Sequence, residues 1–389
     1  MGSLLFGHGT LRDASYRSLC IGKLAHVSTR SAQNSRMGAG LRCVGGVSSQ
    51  KCLDRSKGVG KQVGHDPGLW LLMNFSDELR HSTAELISAE AHEVRARWEA
   101  LGLPGLVDIH THFMPERVLR KVWSYFDAVA PKLGQDWPIA YRLPENQRLE
   151  ILRSFGVRAF TTLNYAHRRD MASWLNDYSY RFAVEVPEAA LSATFYPEPA
   201  AAEYVAEALD RGVRVFKVHV QVGAFDPGDP LLDPVWEMLA ASGTPVVIHC
   251  GSGPSPGEFT GPVRIERLLR RFPGLRLVIA HLGMPEYADF LDLAERFDGV
   301  HLDTTMVFTD FIEVLHPFPR DRLGQLKDLK ERIVLGTDFP NIPYRYAHAL
   351  DALINLDMGE DWLRAVLHHN GSRLLGTAGT TRSDDQNAR

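Results

Sequence analysis

From Gly105 onward, apolar positions fall in short runs separated by longer stretches with helical spacing. The runs are Leu106–His112, Val157–Tyr165, Ala190–Tyr196, Val213–Gln221, Pro245–Gly251, Leu275–Gly283, Val300–Val307 and Arg332–Phe339. Their length and their β-branched and aromatic content predict strands. Between them, Pro199–Arg211, Pro230–Ala241, Pro262–Phe272 and Pro285–Phe297 carry helical patterns. These open on a proline near the first turn and close at Gly212, Gly243, Gly274 and Gly299. Short apolar strands alternating with helices describe a parallel sheet wrapped by helices. Eight such units predict an α/β fold, the (β/α)8 or TIM barrel. An open doubly wound sheet is the rival, but no Gly-x-Gly-x-x-Gly follows the first strand.

Ahead of the barrel, Leu79, Leu86, Ile87, Val94, Trp98 and Leu101 predict one apolar helix stripe. Ser76 is its expected cap, Gly102 and Pro104 its end, and the outside or bottom of the barrel its packing site. Residues 1–72 read differently. They are rich in Ser, Gly and basic residues, hold only Asp13, Asp54 and Asp66 as acids, and predict disorder. Two readings fit: an organelle transit peptide, or a start codon placed too far upstream, with Met73 the biological first residue. The expected organisation is therefore an extension over 1–72, a helix over 73–104, a catalytic barrel over 105–376 and a disordered tail over 377–389.

Composition narrows the partners more than the fold. A net charge of −4 argues against nucleic acid or an anionic membrane, and no apolar stretch reaches the roughly 20 residues a bilayer requires. Cys20, Cys43, Cys52 and Cys250 form neither a disulfide framework nor a zinc ribbon, so a reducing cytoplasm is the expected setting. Cys250 is expected to point into the helix layer.

The chemistry gathers where strands end. His110 and His112 are two apart at the end of the first apolar run, and strand alternation puts both on one face. His249, His281 and Asp338 end three later runs. Imidazoles and a carboxylate at the carboxyl ends of barrel strands are the donors of a divalent metal site. Lys217 and His219 share a face of the fourth strand, and Asp303 lies on the seventh. The loop Gly251–Gly257 is glycine-rich without a P-loop ending, and Phe113–Asn146 holds aromatic residues that suit a helix plus a lid.

Several segments carry a family likeness. They are Val107-Asp108-Ile109-His110-Thr111-His112-Phe113-Met114-Pro115, Phe216-Lys217-Val218-His219, Pro245-Val246-Val247-Ile248-His249-Cys250-Gly251, Ile279-Ala280-His281-Leu282-Gly283, Leu302-Asp303-Thr304 and Leu335-Gly336-Thr337-Asp338-Phe339-Pro340. With these the chain resembles the amidohydrolase superfamily, in the branch that includes aminocarboxymuconate-semialdehyde decarboxylase. The resemblance implies one divalent ion, zinc in the first place with manganese or iron as substitutes, held by His110, His112, His249 and Asp338. It implies that His281 and Asp338 act on the attacking water, and that Lys217, His219 and Asp303 face the substrate or support the site. Some superfamily members use a carboxylated lysine on the fourth strand to bridge two ions, which makes Lys217 an alternative ligand. The activity implied is hydrolysis of a small acidic carbonyl compound. The alternatives are non-oxidative decarboxylation of an unsaturated or aromatic acid, and a metal- or ligand-binding barrel without turnover. A homodimer is the expected assembly.

Overall fold

The computed structural model describes residues 85–377. The expected extension, the Met73 start, the Ser76 cap and residues 378–389 lie outside them. Among the described residues the strands are β1 (Leu106–Asp108), β2 (Val157–Thr161), β3 (Ala189–Ala190), β4 (Ser192–Thr194), β5 (Val215–His219), β6 (Val246–His249), β7 (Leu277–Ile279), β8 (Val300–Asp303) and β9 (Ile333–Val334). Every pairing is parallel, in the orders β1-β2-β3 and β4-β5-β6-β7-β8-β9. β3 and β4 are one barrel strand broken at Leu191, its first half bonded to β2 and its second to β5. The ring closes between its first and last members, where Ile109 N donates to Leu335 O (3.0 Å) and His112 N to Phe339 O (2.7 Å). Eight parallel positions in a closed ring make the expected (β/α)8 barrel.

Alternation splits the core into two layers. Val107, Ala159, Val215, Val247, Val278 and Val334 fill the barrel interior, while Leu106, Val218, Ile248, Ile279 and Leu302 face the helices. Cys250 is buried in the strand–helix layer, as its position after His249 predicts.

The ladders are shorter than the apolar runs. β1 ends at Asp108, β8 at Asp303, and β5 gives way at Val220 to a one-turn helix (Val220–Gly223). After β7, His281 (φ 54°) and Leu282 (φ 52°) leave extended geometry altogether. These residues are buried whether or not they pair, so hydrophobicity continues past the point where hydrogen bonding stops.

Upstream, residues 85–100 form helix α1. Val94, Trp98 and Leu101 are buried, and Trp98 Nε1 donates to Phe155 O (2.9 Å), tying α1 to the entry of β2 at the bottom of the barrel. A Cβ on Gly156 (φ 79°) would meet the Trp98 ring at 2.6 Å, so this contact requires glycine there. Leu86 is corrected: it is 68% exposed, in the first described turn of α1. One turn further on, Glu90 is only 4% exposed.

After β1, helices α2 (Glu116–Leu133) and α3 (Glu145–Phe155) occupy the stretch expected to be helix plus lid. Trp123 Nε1 donates to Asn341 Oδ1 (3.0 Å) and Trp137 Nε1 to Asn341 O (2.8 Å). Trp137 also stacks on Phe126 at 4.8 Å. The aromatics thus tie α2 to the loop that follows Asp338. Among the described residues, no helix is long and apolar enough to cross a membrane.

Candidate metal centre

His110, His112 and Asp338 meet at the carboxyl end of the barrel, with one ligand atom from each within 4.8 Å of the others. The expectation that the two imidazoles share a pocket holds, but for another reason than alternation. The ladder stops at Asp108, the chain bends at Ile109, and each ring is set by its own partner. His110 Nδ1 lies 2.8 Å from Asp303 Oδ2, and His112 Nδ1 lies 3.0 Å from Leu163 O. Both partners are acceptors, so both Nδ1 atoms carry the hydrogen and each neutral Nε2 presents a lone pair.

Those Nε2 atoms converge on a carboxylate oxygen. Asp338 Oδ1 is 2.8 Å from His112 Nε2 and 3.7 Å from His110 Nε2. Three such atoms need a proton or a cation among them, and Lys217 Nζ reaches only His110 Nε2 (3.1 Å). The donor set, two neutral imidazoles and a carboxylate with outer partners fixing each ring, is one that holds a divalent transition metal. The residues present fit the ion that the sequence implies.

The other expected site residues surround this group. His281 Nδ1 is held by Thr305 O (3.1 Å), its backbone N donates to Asp303 Oδ1 (2.8 Å), and its ring centroid is 5.2 Å from that of His110. His249 is not within the tight group. Its Nε2 is turned to Gly253 O (3.1 Å), and its ring stacks on His219 at 3.9 Å and 11°. His219 Nδ1 accepts from Val222 N (3.3 Å), capping the short helix after β5. Lys217 is buried, with Nζ 3.1 Å from His110 Nε2. Asp303 sits behind the histidines as an orienting carboxylate. Arg168 and Arg169, which follow β2, are exposed.

Four partners escaped the sequence reading: Leu163 O and Gly253 O, because backbone carbonyls carry no residue signature, and Thr305 and Asp108. Thr305 donates its N–H to Asp303 (3.1 Å) and accepts from His281. A Cβ on Gly336 would strike the Thr305 hydroxyl and come within 2.7 Å of His110 Cβ, so the close approach of β9 to the site requires glycine. Asp108 had a visible signal, an acid in an apolar run two residues before His110.

Burial governs the charges. It pushes His110 down to about 3, with the Lys217 ammonium adding and Asp303 opposing. It lowers His281, and takes His219 and His249 well below the usual imidazole range. Lys217 falls to about 8 by burial, against the pull of Asp303 and Asp338. Burial alone would raise Asp303 and Asp338, but the surrounding imidazoles outweigh it and hold both well below the carboxylate range. Burial lifts Asp108 to about 7, against the Thr337 hydroxyl, the His110 N–H and the Tyr346 hydroxyl.

These shifts set an acid limit. A histidine whose folded value lies below its unfolded 6.5 binds more protons unfolded, so its contribution is complete above 6.5 and lost as pH falls toward the folded value. His110, His219, His249, His281 and His301 (about 4) all act in that direction. Asp108 opposes them, its raised value favouring the folded state at lower pH. Five groups outweigh one. The metal-free protein is expected to have a lower thermal midpoint at pH 5 than at pH 7.5; an equal or higher midpoint at pH 5 contradicts this balance.

The amidohydrolase family model matches residues 107–377. The chain belongs to the amidohydrolase family. No curated protein matches it. Among solved structures it is similar to an uncharacterised TIM-barrel protein of Bordetella bronchiseptica, at 21% identity over 71% of this chain and 99% of that one, with a TM-score of 0.57. It is similar to a dihydroxybenzoic acid decarboxylase from Polaromonas sp. JS666, solved with manganese and the inhibitor 2-nitroresorcinol, at 17% identity over 71% and 98% (TM-score 0.52). It also resembles a 5-carboxyvanillate decarboxylase from Sphingomonas paucimobilis, at 17% identity over 70% and 99% (TM-score 0.50). At these identities the likeness establishes the barrel.

Proposed function

We propose that this amidohydrolase-family enzyme is a metal-dependent hydrolase of a small acidic carbonyl compound, an amide, lactone or similar. The observation that carries the reading is the convergence of His110 Nε2, His112 Nε2 and Asp338 Oδ1, one ligand atom from each residue within 4.8 Å of the others. A divalent ion bound there would polarise a carbonyl and lower the pKa of water toward about 7. Zinc is the first candidate, with manganese or iron compatible with the same donors.

The chain's own groups supply the rest. Asp338 holds the attacking water, accepts its proton and returns it to the leaving group. His281, with Nδ1 committed to Thr305 O, offers Nε2 to orient that water. Asp303 keeps His110 in one tautomer. The Lys217 ammonium pairs with the substrate's anionic group or the developing oxyanion, and His219 lines the same side. His249, steadied by Gly253 O, completes the donor set implied by the family. The catalytic unit corresponds to 105–376, and a homodimer in the cytoplasm remains the expected setting.

A second reading, non-oxidative decarboxylation, has its own support: two barrels similar to this one are decarboxylases of aromatic acids, one holding manganese. The same groups would then polarise the acid and assist protonation at carbon as carbon dioxide leaves. Lactones, amides and aromatic acids should be offered to metal-loaded enzyme in water enriched in oxygen-18. Label in the product is the expected result. Stoichiometric carbon dioxide without label would replace hydrolysis by decarboxylation. Metal counting decides the ion number: one per chain is expected, and two, falling in Lys217→Ala, would make Lys217 a bridging ligand.

A further inference from the structure

The segment before the barrel is joined to the metal-binding turn by a continuous buried chain of hydrogen bonds. Glu90 of α1 lies outside the family match, which begins at residue 107. Its Oε1 accepts from the Tyr141 hydroxyl (2.7 Å) and from Ala347 N (3.1 Å). The Tyr141 oxygen in turn accepts from Tyr346 N (2.6 Å). Tyr346 and Ala347 open the helix Tyr346–Ile354, whose own N-cap residue, Arg345, makes no side-chain cap. Glu90 and Tyr141 therefore satisfy, from elsewhere in the chain, two N–H groups that a helix start leaves without partners.

What this helix carries inward matters to the site. The Tyr346 hydroxyl donates to Asp108 Oδ2 (3.0 Å), which also accepts from the Thr337 hydroxyl (2.6 Å). Asp108 Oδ1 accepts from His110 N (3.2 Å). One carboxylate thus grips both segments that supply the three converging ligands: the turn of His110 and His112, and the turn of Asp338. Those turns bond each other as well, through Asp338 N to His110 O (2.8 Å). Glu90, Tyr141, Asp108 and Tyr346 are buried, so water does not replace a lost partner freely.

We propose that Glu90 and Tyr346 are positioning residues for the metal site, acting through Asp108 on the spacing of the His110–His112 and Asp338 turns. Neither residue touches the ion. The inference rests on the metal reading above, so its test carries one readout that does not.

Full-length protein, stripped of metal by chelation, is titrated with Zn2+ and with Mn2+ against a chromophoric chelator. In parallel, hydrogen exchange is followed in the peptide around His110. Tyr346→Phe keeps the ring and removes only the hydroxyl; it is expected to weaken metal binding by about tenfold, the lower end for outer partners of metal ligands, and to speed exchange at His110. Glu90→Ala should act in the same direction, and Glu90→Gln should restore both readouts, because an amide oxygen accepts the same two bonds. The double variant Glu90→Ala/Tyr346→Phe should weaken binding by less than the product of the single effects. Wild-type affinity and exchange in folded Tyr346→Phe would overturn the proposal, as would Glu90→Gln behaving like Glu90→Ala. Absence of metal binding by the wild type would instead defeat the metal reading, leaving hydrogen exchange to judge the linkage. If Glu90→Ala does not fold, Tyr346→Phe and Glu90→Gln decide.

Discussion

Asp338→Asn is expected to lower turnover by about 100- to 10,000-fold, the usual range for a lost proton-transfer group, with little change in the fold. The fold is spared for local reasons. Asp338 adopts φ 73°, a left-handed conformation that asparagine tolerates almost as well as glycine. Its backbone bonds, N–H to His110 O and C=O from Asn341 N, do not involve the side chain. The change falls on Oδ1, where a charged acceptor facing two imidazole lone pairs becomes a neutral amide that cannot take a proton. Turnover, bound metal and thermal midpoint measured on one preparation separate the effects. Full turnover with normal metal content would remove Asp338 from proton transfer.

His110→Ala is expected to strip the metal and the activity together, and to destabilise the protein as well. His110 is one of only three residues in the tight donor group, so its loss leaves one imidazole and one carboxylate. It also leaves Asp303 Oδ2 buried without its 2.8 Å partner, which costs about 1–3 kcal/mol. His112→Ala makes the informative comparison. The Nδ1 partner of His112 is a backbone carbonyl, Leu163 O, rather than a buried carboxylate. It should lose metal to a similar extent with a smaller fall in thermal midpoint. Full metal occupancy in His110→Ala would refute the assignment, and equal destabilisation by both substitutions would refute the role given to Asp303.

Much of this arrangement was legible beforehand. The eight apolar runs named the barrel strands, and the ligand-type residues at their ends pointed to a candidate site, because burial of a parallel strand on both faces and exposure of its carboxyl end leave marks in residue type. Leu86 shows where that reasoning stopped. The apolar pattern places it on the buried stripe of α1, whereas the structure exposes it and buries Glu90 one turn further on. An acid is normally assigned to solvent, and Tyr141 and Ala347, distant in sequence, make its burial tolerable. His249 shows another limit. Its strand position predicts a donor toward the ion, but a carbonyl four residues later decides which ring nitrogen is engaged.

The order of strands and helices, the division of the paired strand residues into interior and helix-facing sets, and the candidate donor side chains are set by the linear pattern, since each depends on local periodicity and residue chemistry. Tertiary structure decided which nitrogen of each imidazole is engaged, how Asp303 and Asp108 are used, and that α1 belongs to the same hydrogen-bonded unit as the His110–His112 turn. The partner that orients His110 lies 193 residues away in sequence. No local pattern encodes a hydrogen bond of that reach; it exists only because closing the barrel brings its first and seventh strands to either side of the eighth, where Gly336 leaves room between His110 and Asp303.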